Sequence, residues 1–124
     1  MTNATGATIG GFRVGFDGEQ WRDSGNTSAQ TMRFEYGFGA SFGAVAGWEA
    51  PGGSFDWTSP VTTGAAGAID GNSAGLVADR GGTIGGVTWS ANETLWLRWV
   101  ETNDSGTDHG LAIDNFTFAS APEP

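Results

Sequence analysis

The chain reads as an all-β protein, an antiparallel β-sandwich of jelly-roll-like type. Three observations carry that expectation. Apolar residues recur with a period of two in several short runs, as in strands with one buried face. Clusters of glycine, asparagine, aspartate and serine separate the runs, as turns do. No stretch keeps the 3.6-residue period of a helix of ordinary length, so stacking two sheets is the way such strands bury their apolar faces.

Phe12, Val14 and Phe16 alternate with Arg13 and Gly15, which predicts a strand, with a turn at Asp17-Gly18. Glu19-Gln20-Trp21-Arg22 resumes an extended pattern before the turn formers Asp23-Ser24-Gly25-Asn26. Thr31 to Phe38 is the clearest strand: Met32, Phe34, Tyr36 and Phe38 share one face, and Arg33, Glu35 and Gly37 the other. Between Gly39 and Trp57 the pattern admits a short strand or a loop with one helical turn. Phe55-Asp56-Trp57 reads as a small strand ended by Pro60. Thr62 to Arg80 reads as a long surface connection with at most one strand. Thr83 to Trp89 returns to β character, and Thr94 to Val100, bulky on both faces, is expected at the centre of the sheet. A turn-rich loop from Thr102 to Gly110 leads to a closing strand, Leu111 to Phe118. Its apolar phase slips between Ile113 and Phe116, predicting a bulge near Asp114. Thr8-Ile9-Gly10-Gly11 recurs as Thr83-Ile84-Gly85-Gly86. Two copies do not make a solenoid and read as two strands with similar glycine-permitted entries.

Composition narrows the function. A chain of 124 residues fits one domain. Hydrophobic residues make up only 38% and glycines number 22, so the core must come from the six tryptophans and eight phenylalanines. Each of these buries about 150–250 Å². The net charge of −9, with five arginines and no lysine, makes nucleic acid an unsuitable partner. An acidic surface favours solubility and recruits divalent cations. The absence of cysteine excludes disulfides, thiolate zinc sites and cysteine nucleophiles. No window approaches the ~18–20 apolar residues of a membrane span, and the first residues have neither the basic nor the apolar region of a secretory signal. The strand pattern begins by about Ala7, as if Met1 fell partway into a larger domain.

Asp104, Asp108 and Asp114, with Asn103 and Glu101 nearby, supply the hard oxygen ligands that calcium prefers; no cofactor is expected, and calcium is the one candidate these residues raise. The spacing fits neither an EF-hand nor a nonapeptide calcium repeat. Solvated turn residues and an Asx-turn are the favoured reading of this loop, with calcium as the alternative. His109, the only histidine, would have to serve any Ser-His-Asp mechanism. Its neighbours place it in a turn with no nucleophile elbow nearby, so it reads as an exposed turn residue. Glu19, Glu35 and Glu101 carry no spacing that marks a glycosidase pair. Gly37-Phe38-Gly39-Ala40-Ser41-Phe42-Gly43 lacks the spacing and the βαβ setting of a dinucleotide loop. Of Trp21, Trp48, Trp57, Trp89, Trp96 and Trp99, most are expected in the core and the rest are candidates for stacking on sugar rings. Trp96 and Trp99 fall on opposite faces of one strand. The Asn-x-Ser/Thr sequons at Asn3, Asn26, Asn92, Asn103 and Asn115 arise readily in polar turns.

Three segments stand together: Gly15-Phe16-Asp17-Gly18-Glu19-Gln20-Trp21-Arg22; Leu95-Trp96-Leu97-Arg98-Trp99-Val100 with Asn103-Asp104-Ser105-Gly106 and Asp108-His109-Gly110-Leu111-Ala112-Ile113-Asp114; and Pro122-Glu123-Pro124. In this combination the chain resembles the exported PEP-CTERM proteins of Gram-negative bacteria. The resemblance implies a sandwich domain at 1–119 and the start of a sorting tail at 120–124, with Pro122, Glu123 and Pro124 as the sorting motif. It further implies export through the inner membrane, an exosortase as partner, and a non-enzymatic role at the cell surface or in extracellular polysaccharide. The alternative is a calcium-dependent carbohydrate-binding or hydrolase-accessory module. The family's tail continues into an apolar span and an arginine-rich end, and a signal peptide precedes its domain. Neither is in this sequence, so the expectation is a trimmed form whose missing N-terminal strands complete the sandwich and whose sorting fails.

Overall fold

In the computed structural model, which describes residues 1–102 and 104–121, the chain is all-β, with two antiparallel sheets stacked as a sandwich. The strands are β1 (Ile9–Asp23), β2 (Thr31–Phe38), β3 (Trp57–Thr58), β4 (Gly67–Ala68), β5 (Leu76–Trp89), β6 (Leu95–Glu101) and β7 (Gly110–Ala121). The long sheet is built on β1. One edge of β1 pairs with β7 from Gly11 to Arg22; the other pairs with β5 from Ile9 to Glu19 and then with β4 at Arg22 and Asp23. In the second sheet β2 lies between β3 and β6. The sorting motif Pro122-Glu123-Pro124 and Asn103 lie outside the described residues.

The alternation read from the sequence sets the core. Phe12, Val14 and Phe16 of β1 are buried with Ile84 and Trp89 of β5, facing Phe34 of β2 and Leu95 of β6. Rings meet across the gap between sheets: Phe12 on Tyr36 at 5.3 Å, Phe16 on Trp99 at 5.4 Å, both edge-to-face. That arrangement sets the positive ring edge against the negative ring face. The two Thr-Ile-Gly-Gly copies prove to be strand neighbours, with Gly11 opposite Gly85 and Phe12 opposite Ile84.

Three sequence expectations about the strands need correction. β6 is an edge strand rather than the centre of the sheet. It is bulky on both faces because a satellite cluster covers its outer side: Trp96 meets Phe42, Trp48 meets Phe42, and the Arg98 guanidinium stacks 3.9 Å from the Trp48 ring. Trp99, on the opposite face, packs in the core as the strand period requires. Gly18 is no turn. It lies within one continuous β1, where a side chain would collide with the Trp57 ring. Finally, the stretch from Thr62 to Arg80 holds more than the one strand expected: β4, and the start of β5 at Leu76, seven residues before the expected Thr83, in a segment with no apolar alternation where Asp79, Gly81 and Gly82 take positive φ. Between Gly39 and Trp57 the structure has short 3-10 turns at Phe42–Ala44 and Gly53–Phe55.

Candidate functional site

The outward-facing residues of β1 run Arg13, Gly15, Asp17 and Glu19, and around the middle of this row both neighbouring strands bulge. Between Gly15 and Asp17, β7 spans Thr117 to Asp114, three steps against two. Between Phe16 and Gly18, β5 spans Arg80 to Val77, again three against two. Each bulge holds one residue in the left-handed region, Asn115 (φ 53°) and Asp79 (φ 58°). Asparagine and aspartate tolerate that region better than bulkier residues. The bulge predicted near Asp114 is therefore present, and a second one mirrors it.

Asp17 ties the two bulges together. Its Oδ1 accepts the Asp79 backbone N–H at 2.8 Å and its Oδ2 accepts the Asn115 side-chain amide at 2.7 Å. The bond from Asn115, followed by that from Asp79, holds the Asp17 carboxyl below its ordinary value. Asp17 is suited to accept hydrogen bonds and not to deliver a proton.

Beside this carboxylate is an open groove of about 460 Å³ on the outer face. Gly15, Gly81 and Gly82 line it together with Arg13, Asp79, Asn115 and Thr117. A side chain at Gly15 would press on the Thr117 hydroxyl. The groove offers guanidinium and amide donors, carboxylate acceptors and a hydroxyl, with neither histidine nor serine among its lining residues. Its chemistry is that of holding a hydroxylated ligand by several hydrogen bonds.

The sequence-derived calcium candidates divide. Asp114 lies opposite Asp17 on the bulge, where its Oδ1 accepts the Asn115 N–H at 2.7 Å. Asp104 accepts the Thr102 hydroxyl at 2.9 Å. Asp104 and Asp108 both act on Glu101, whose carboxyl is pushed up first by burial and then by repulsion from Asp108 and Asp104. Among the described residues no group of three or more histidine, aspartate or glutamate side chains is placed to hold a metal ion. Glu35 is paired with Arg98 at 2.8 Å and Arg33 at 3.2 Å on the second sheet, while Glu19 lies on the long sheet with Trp21.

His109 is buried, contrary to the expected exposed turn residue. Its Nδ1 accepts the Ser24 N–H at 3.0 Å, and its Nε2 faces the Ser28 carbonyl at 3.3 Å, which defines an Nε2–H tautomer. Gln30 Oε1 accepts the His109 N–H at 2.6 Å. The ring fastens the loop after β1 to the loop before β7. Asp23, 3.6 Å from Nδ1, turns its oxygens to the Thr63 hydroxyl and amide and the Gly25 N–H, which lower its carboxyl, the Thr63 hydroxyl most. Ser24 Oγ donates to the Thr107 carbonyl at 2.9 Å. Serine, histidine and aspartate thus meet as a loop clasp, with each polar atom committed to backbone.

Asn3, one of the sequons, is also interior: its amide donates to the Ala7 and Trp89 carbonyls. The sequence reading missed Asp17, Asp79 and Asn115 as a unit. The available signal was Asn115 beside the predicted bulge; the rest depends on strand register. The fold and site together define an open all-β sandwich with a polar groove on the outer face of its longer sheet. No family model, curated protein or solved structure matches the chain.

Proposed function

We propose that the chain is the folded, non-enzymatic domain of an exported cell-surface or extracellular-matrix protein, that it holds polysaccharide in the outer-face groove, and that Pro122-Glu123-Pro124 is the motif an exosortase reads in the full-length protein. The observation that carries the ligand class is the groove itself. Three of its lining residues are glycines, which carry no side chain to fill it, and its donors and acceptors match a polyol. Asp17, held ionised by two donors, supports binding over acid catalysis. The −9 charge and absence of lysine favour an uncharged polymer over nucleic acid. The sorting role rests on the sequence resemblance and on β7 running to Ala121, directly before the motif.

Affinity electrophoresis through gels containing neutral polysaccharides tests the ligand class. Arg13→Ala combined with Thr117→Val alters exposed groove positions and should weaken retardation while leaving the melting temperature within about 2 °C. Hydrolytic turnover abolished by replacing a carboxylate would contradict the non-enzymatic reading.

The second reading, a calcium-dependent carbohydrate module, draws support from Asp104 and Asp108, whose charges raise the Glu101 carboxyl and would be offset by a cation, although among the described residues no three acidic side chains are placed together to hold one. Calcium at a hundred times its dissociation constant would stabilise the fold by about 2.7 kcal/mol. A melting curve unmoved by millimolar calcium eliminates it.

A further inference from the structure

We infer that Trp21 is a sugar-stacking platform for a neutral pyranose polymer, a second contact point on the same strand as the groove; the inference rests on the polysaccharide reading above. Trp21 is 43% exposed and belongs neither to the core cluster nor to the residues packed on it. It is the extra residue of a third bulge: β1 runs from Gln20 to Arg22 while β7 runs only from Leu111 to Gly110. A bulge re-aims the side chain it carries.

The exposed ring is also held. Its Nε1–H donates to Glu19 Oε1 at 3.1 Å, and Glu19 is itself only 4% exposed. Gly71 backs the indole so closely that an added Cβ would fall 2.6 Å from Nε1 and 2.8 Å from Cδ2. A ring fixed by a buried carboxylate on one edge and by bare backbone beneath has lost its freedom before any ligand arrives, which lowers the entropic cost of stacking. Asn72 and Ser73, exposed just after Gly71, supply polar groups on the same turn, and Arg22 is exposed at the next position on β1. From Gly15 to Trp21 the strand advances roughly 20 Å, a span suited to a chain of several sugar rings rather than to a monosaccharide. The surplus of carboxylates, 14 against five arginines, repels uronate polymers and selects uncharged ones.

The test is affinity electrophoresis of the intact chain, Trp21→Ala and Trp21→Phe, in gels containing hydroxyethylcellulose, arabinoxylan, galactomannan, dextran or alginate. The expectation is retardation by at least one of the four neutral polymers and not by alginate. Trp21→Ala should weaken binding about tenfold or more, and Trp21→Phe should retain most of it. Unchanged circular dichroism and melting would show that the loss is local. Binding by Trp21→Ala at full strength, with the groove variant impaired, overturns the platform while leaving the polysaccharide reading intact. Absence of retardation by every neutral polymer overturns both, and preferential retardation by alginate overturns the choice of an uncharged ligand.

Discussion

Replacing Gly18 with alanine should destabilise the protein although it adds only one methyl group to a strand. An ideal Cβ at this position lies 2.6 Å from Trp57 Cε2 and 2.7 Å from Cε3. Carbon atoms in contact prefer about 3.5–4.0 Å, so ring or strand must retreat by roughly 1 Å. Trp57 is 2% exposed, and its strand is tied to β2 at only two positions, Thr31–Thr58 and Met32–Trp57. Overpacking of this kind costs about 1–3 kcal/mol. A rigid indole puts Gly18→Ala in the upper part of that range, and the narrower unfolded ensemble of alanine returns about 0.4–1 kcal/mol. The net loss is about 2 kcal/mol, or roughly 6–10 °C in melting temperature at this chain length. Thermal and urea unfolding of Gly18→Ala, Trp57→Ala and the double variant give the coupling directly. In the Trp57→Ala background the glycine replacement should become neutral or favourable. Gly85→Ala, where the added carbon meets nothing within 4 Å, is the control and should not destabilise. A Gly18→Ala melting temperature within 2 °C of the natural protein would refute the steric reasoning.

Other outcomes follow from the polar sites. Asp17→Asn should loosen both bulges and lower stability at neutral pH by about 1 kcal/mol after solvent screening. Because the folded Asp17 carboxyl titrates below its ordinary 3.8, its contribution is complete above that pH and is lost as the pH falls through the lower folded value. The gap between natural protein and variant, read by urea unfolding, should therefore close in acid. Glu101→Gln should behave oppositely. The Glu101 carboxyl is raised above its ordinary 4.5, so its protonated form favours the fold at low pH and that advantage disappears as the pH rises through the folded value. The variant should be the more stable at pH 7 and converge with the natural protein below pH 4.5; equal stability at pH 7 would count against the carboxylate crowding. His109→Ala should cost about 1–3 kcal/mol through the orphaned Ser24 N–H alone. It should also speed amide hydrogen exchange in the loops around Ser24 and Thr107, and unchanged exchange there would contradict the clasp.

Local chemistry wrote the strand character of this protein into its sequence. Period-two alternation in Phe12–Phe16 and Met32–Phe38 named the inward faces before any pairing was known, because a strand's side chains alternate whatever lies beside it. The phase slip at Asp114 likewise announced a bulge, since an extra residue must shift every later side chain to the other face. What depended on distant partners was not legible. Glycine at position 18 looks like a turn signal until Trp57, 39 residues later, is seen to need the space. Thr94–Val100 looks central until Phe42 and Trp48 are found covering its outer side. His109 looks exposed until Ser24, Ser28 and Gln30 close around it. Asp17 acquires its meaning only from Asp79 and Asn115, brought from opposite edges by strand register. Side-chain alternation is a property of a few consecutive residues, whereas pairing order, burial of polar groups and the assembly of a groove depend on contacts between segments far apart in the chain, which tertiary folding alone decides.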